Sequence, residues 1–208
     1  MNKWMLVTAM WLVGGGLQDG AKPAPNWGAY APRSVPSAAL REGRLSFDCR
    51  ATVGDFTGTT TTVRGEMTGG TDLKALRGWV EAPVITLVTG NGRRDRDLNK
   101  SMESDRYPTI RFELTGVAPR MEQGDTTLVD LQGKFRIHGV EREVTIPAIV
   151  VHGSGAIRVH SMTPIDVKDY RIGGLSKAFG MLRVYDGIVV YIDVTFATDK
   201  PSGGAPAG

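Results

Sequence analysis

The chain is poor in the residues from which catalytic and metal sites are most often built. Its 208 residues include one cysteine, Cys49, and three histidines, His138, His152 and His160. A single thiol excludes an internal disulfide. No histidine pair stands at i, i+4 around a glutamate, which excludes a zincin-type helix. Aromatic residues make up only 7% of the chain, so a base-stacking platform is not expected. The basic excess is small, 25 Lys and Arg against 22 Asp and Glu, and it is scattered. Nucleic acid, which needs a concentrated basic face, is therefore not an expected partner. Long apolar runs are also missing. The one that stands out, residues 4–13, is about half the roughly twenty residues that a membrane-spanning helix needs.

That short run has a different meaning. Lys3 precedes it, Gly14, Gly15 and Gly16 follow it, and the layout is that of a secretory signal peptide. Residues 1–16 are read as the signal and residues 17–39, rich in Pro, Ala and Gly, as a flexible linker. Residues 40–198 form the domain and residues 199–208 a disordered tail. The expected location is the periplasm or the secreted fraction.

Within the domain the dominant signal is a period of two. Ile110, Phe112 and Leu114 alternate with polar neighbours, as do Leu131, Phe135 and Ile137, then Val144, Ile146, Ala148 and Val150. Successive side chains of a strand point to opposite faces, so each segment has one apolar and one polar face. The same pattern returns at Leu45, Phe47, Cys49, Ala51 and Val53, and at Ile188, Val190, Ile192, Val194 and Phe196. Weaker strands run through Val63 and Met67, residues 80–89, and Ile157 and Val159. Gly, Asn and Asp turns separate them at short intervals. The count predicts an all-β fold, an antiparallel barrel or sandwich of about eight strands, with one or two short helices. A helix is expected over residues 95–102 and a broken turn or flap over residues 167–179, where Gly173 and Gly174 interrupt any helical run.

The chemical motifs are incomplete. Gly174-Leu175-Ser176-Lys177-Ala178 lacks the closing glycine of a nucleophile elbow, and Gly90-Asn91-Gly92 lacks the third glycine of a dinucleotide loop. Asp95, Asp97, Glu103 and Asp105 are interleaved with Arg93, Arg94, Arg96 and Arg106, the pattern of a solvated, salt-bridged face. Cys49 lies on an apolar parity and reads as a small buried hydrophobe. The chain is therefore read as non-enzymatic. The interior of the sheet remains. Phe47, Ala51, Val53, Phe112, Gly133, Phe135, Ala148, Ile188 and Val190 mix large and small side chains, which fits a filled core and a ligand cavity equally well.

A resemblance separates the two. Tyr107-Pro108-Thr109-Ile110-Arg111-Phe112, Gly133-Lys134-Phe135-Arg136-Ile137-His138-Gly139-Val140 and Val144-Thr145-Ile146-Pro147 resemble the YceI-like family, as do Gly54-Asp55-Phe56-Thr57-Gly58 and the stretch from Arg96 and Asp97 to Lys100. The likeness covers residues 40–198. It implies a lipocalin-like barrel with an apolar tunnel that holds a polyisoprenoid-type amphiphile, a prenyl quinone or polyprenyl phosphate, for transport, storage or sequestration. Bound isoprenoid lipid or quinone is the only cofactor-like group implied, and transient membrane contact and a homodimer are both compatible with it. The lining expected is Phe47, Val53, Phe112, Phe135, Ile137, Val190 and Ile192, with His138, Tyr170 and Lys177 as head-group candidates. The chain departs from the family at the aromatic pair before Tyr107, where Met102 stands, and at the Asp-x-x-His lead-in, absent from residues 35–40. The alternative is a filled-core structural or interaction module of the cell envelope.

Overall fold

A computed structural model describes residues 27–32, 34–52, 54–173 and 184–198. Nine strands follow one another: β1 Ala38–Ala51, β2 Phe56–Thr60, β3 Arg64–Thr68, β4 Arg77–Pro83, β5 Thr109–Gln123, β6 Thr126–Ile137, β7 Val140–Gly153, β8 Ala156–Asp166 and β9 Val184–Ala197. Every neighbouring pair is antiparallel, and β1 pairs with β9, so the sheet closes on itself. Strands β2 and β3 share one side of β1. Leu45 to Cys49 face Thr60 to Phe56, while Ala38 and Ala39 face Met67 and Glu66. They occupy one position in the wall, which makes an eight-position, lipocalin-like barrel.

The period-two residues account for the interior. Phe47, Phe112, Leu131, Phe135, Ile146, Val150, Val190, Ile192, Val194 and Phe196 are all buried in one core. Parity is kept through two irregularities. A register shift between Leu114 and Gly116 lets Leu114 and Val117 face the same interior. The ladder between β7 and β8 runs only from Ala148 to Gly153. It stops beside Pro147, which has no N–H to give to it. Beyond that point the two strands part, while β8 stays paired to β9 down to Asp166. The seam is spanned by a 3-10 turn, Val167–Tyr170, tied to β7 by Arg142 Nη1 and Asp169 Oδ1 at 3.3 Å.

The two ends of the barrel differ. At one, the β5–β6 hairpin and the connection from β3 to β4 meet the segment before β1. Part of that segment, expected to be linker as far as residue 39, is laid across the barrel. Gly28 exchanges backbone hydrogen bonds with Glu122 at 2.6 and 2.9 Å, and Val35 with Gly70 at 3.0 and 2.9 Å. The Tyr30 hydroxyl accepts from the Leu73 N–H at 3.1 Å, and Val35 is buried. The reason is apolar surface. Val35, Leu73 and Leu76 join the core and close this end.

At the other end lies α1, Gly92–Ser101, the one α-helix among the described residues. Asn91 caps it, its Oδ1 accepting from the Arg93 and Arg94 N–H groups. No residue within α1 is fully buried, but Met102, which ends it, is. The β6–β7 turn, His138 and Gly139, lies at the same end with φ of 51° and 72°. A Cβ on Gly139 would lie 2.4 Å from the Tyr107 ring, so glycine is needed both for the turn and for the aromatic that covers it. Two of the segments that carry the family resemblance, the one at Tyr107 and the one at His138-Gly139, are thus one contact in space.

Candidate functional site

The barrel interior is not filled. A cavity of about 330 Å³ opens at the α1 end, and a smaller one of about 80 Å³ adjoins it on the side of Val35, Leu73 and Leu76. Leu45, Ile110 and Phe135 line both, so the two follow each other along the axis. A space of this size matches the lower range of small-molecule sites, and its walls are apolar with a few polar groups at one end. The polar groups are Ser46, Asn91, Arg93, Arg94, Asp97 and Ser101, most of them on or beside α1.

The residues expected to line a cavity fall into two sets. Phe47, Phe135, Ile137 and Val190 border the larger space, and Phe112, Phe135 and Ile192 the smaller one. Val53 and Lys177 lie outside the described residues, as do residues 1–16 and 199–208. Tyr170 borders the larger cavity, and burial pushes its hydroxyl pKa up. His138 is placed differently. It is buried, although the alternation puts it on the polar parity, and it is not among the lining residues. Its Nδ1 donates to the Tyr170 carbonyl at 3.1 Å, and its Nε2 lies 3.2 Å from Glu103 Oε1. The Tyr107 ring packs edge-on against it at 4.7 Å. His138 therefore ties the turn after α1 to the turn after β8, which flank the cavity mouth on two sides.

Cys49 sits in the cavity wall and its thiol is pushed up to about 12, chiefly by burial and then by Asp48, with Arg94 opposing. It is an inert wall element at neutral pH. Among the described residues no group of three or more His, Cys, Asp or Glu is arranged to hold a metal ion.

Sequence reasoning missed Leu45 and Ile110, the residues that join the two spaces. The signal was present, since Leu45 shares parity with Phe47 and Ile110 with Phe112. It also missed Phe56, Leu87, Leu98 and Met102, which line the mouth from β2 and from the segments around α1. These come from irregular or helical stretches where a period of two says nothing. Arg94, read as part of a solvated face, is half-buried against the Phe56 ring at 4.2 Å.

A closed antiparallel barrel with an apolar interior open at one end defines a lipocalin-like binding barrel. The YceI-like domain family model matches residues 39–196, and the chain belongs to that family. The barrel is similar to BcnA of Burkholderia cenocepacia, with a TM-score of 0.63 and 15% identity, covering 74% of this chain and 95% of that one. It is also similar to a polyisoprenoid binding domain from Saccharophagus degradans implicated in plant cell wall breakdown, with a TM-score of 0.65 and 15% identity over 77% of this chain and 98% of that one. At such identity the likeness is one of fold. No curated protein sequence matches the chain.

Proposed function

We propose that the protein is an exported carrier or store that holds a polyisoprenoid-type amphiphile with its chain along the barrel axis and its head at the α1 end. The observation that carries this reading is the apolar interior, open at one end and adjoined by a smaller cavity that shares Leu45, Ile110 and Phe135. A flexible prenyl chain needs apolar contact area and few polar partners, and each buried methylene contributes about 0.8 kcal/mol. Family membership and the polyisoprenoid binding domain among the similar folds support the same class of ligand. The reading is of a binding protein and not an enzyme.

Native mass spectrometry of the gently purified protein tests this reading, together with uptake of a prenyl quinone by the delipidated protein. Co-purified lipid or saturable uptake supports it. Repeated absence of both overturns it and favours the envelope module without a ligand. Export rests on the N-terminal layout. Fractionation of cells expressing the chain with and without residues 1–16 should move it from the periplasm to the cytoplasm.

A further inference from the structure

The charged side chains that line the larger cavity are Arg93, Arg94 and Asp97, two cations and one carboxylate. Arg94 is the one built into the wall. Its Nε donates to Thr89 Oγ1 and its Nη2 to the Thr89 carbonyl, both at 2.9 Å. The guanidinium lies 4.2 Å over the Phe56 ring, and Phe56 pairs with Cys49 of β1. Thr89 is itself held: Asp95 Oδ1 accepts from its N–H at 2.8 Å and from its hydroxyl at 2.5 Å. Asp95, next to Arg94 in the chain, thus turns this oxygen to the loop that positions the guanidinium.

Two of the five N–H groups of a guanidinium are engaged in this way. Nη1 has no protein acceptor among the described residues, and no carboxylate among them forms an ion pair with Arg94. The remaining N–H groups can therefore meet a ligand acceptor. The guanidinium stands at the polar end of an apolar cavity, with its plane already fixed. A planar fork of donors suits phosphate oxygens better than a single carbonyl or hydroxyl.

We infer that Arg94 anchors the ligand head and that this chain selects isoprenoids whose head is a phosphate over uncharged ones. The inference rests on the lipid-binding reading above and goes past it to the class of head group. The test compares geranylgeranyl monophosphate with geranylgeraniol, two ligands with the same chain, on the full delipidated protein. The phosphate should bind about tenfold more tightly. Added salt should narrow the gap, because only the phosphate carries a charge to screen. Arg94→Gln should remove the preference for the phosphate over the alcohol, and Arg94→Lys should retain part of it. Equal wild-type affinities overturn the inference and leave lipid binding standing. Binding of neither ligand overturns both. A preference that survives in Arg94→Gln also overturns it. If that variant loses both ligands, the wild-type salt series decides, and a gap that salt does not change counts against Arg94.

Discussion

At the scale of single residues, the barrel uses side chains for packing where a sequence search would look for chemistry. Cys49 is the plainest example. Burial, assisted by Asp48, holds its thiol proton to about pH 12, against an ordinary value of 9.0. The folded chain therefore binds this proton more tightly than the unfolded one. Stability from this group is complete below about pH 9 and is lost as pH rises through the window from 9 towards 12. Denaturant melts across that window should show the alkaline loss, and Cys49→Ala should flatten it. The same burial predicts that the folded protein resists a thiol reagent at pH 8 and reacts once denatured. Rapid labelling of the native protein would contradict the placement of Cys49 in the wall. Alternation placed this residue correctly, because a cysteine on an apolar parity is treated as any small hydrophobe.

At the scale of elements, the mouth of the cavity depends on pieces that are distant in sequence. His138, in the turn between β6 and β7, joins Glu103 after α1 to Tyr170 in the 3-10 turn after β8. Removing the bridge leaves the Tyr170 carbonyl without its imidazole donor, at a cost of about 1–3 kcal/mol. His138→Asn keeps a residue that tolerates the positive φ of this turn but is too short to span both partners. Amide exchange in that variant should speed up across the 3-10 turn Val167–Tyr170 and leave Val35 and Gly70, at the closed end, unchanged. Equal acceleration at both ends would mean global destabilisation and not a released tie. Little of this was legible in the sequence. The motif residues around Tyr107 and Gly139 were visible as a resemblance, but their contact needs the register of β5 against β6. The burial of His138 runs against its polar parity, because the turn takes it out of the strand pattern.

At the scale of the whole molecule, closure decides what the apolar faces are for. Eight wall positions with one end covered by Val35, Leu73 and Leu76 leave a space that opens beside α1. Ile110, at the junction of the two voids, is the place to divide it. Ile110→Trp should fill the junction and shorten the usable cavity, at a stability cost of about 1–2 kcal/mol. Uptake of a long prenyl quinone should fall more than tenfold, while a short isoprenoid that fits the outer cavity should still bind. A cooperative thermal melt would show that the barrel persists, and unchanged uptake of the long quinone would argue that the chain does not run through this junction.

The sequence by itself determined the sheet. A period of two is a local property, written residue by residue along β1, β5, β6, β7 and β9, and it needs no partner to be read. The family resemblance added the expectation of a tunnel, and residues 39–196 carry the family match. Only the tertiary structure decided that the interior is open and not packed. Whether Leu45, Ile110 and Phe135 meet across the axis depends on closure between β1 and β9 and on the shear of the ladders, which no single strand encodes. The structure likewise moved part of the expected linker onto the closed end and brought Arg94 from a supposed solvated face to the cavity wall. Both follow from contacts far apart in the chain, Val35 with Gly70 and Arg94 with Phe56, where local pattern carries no information.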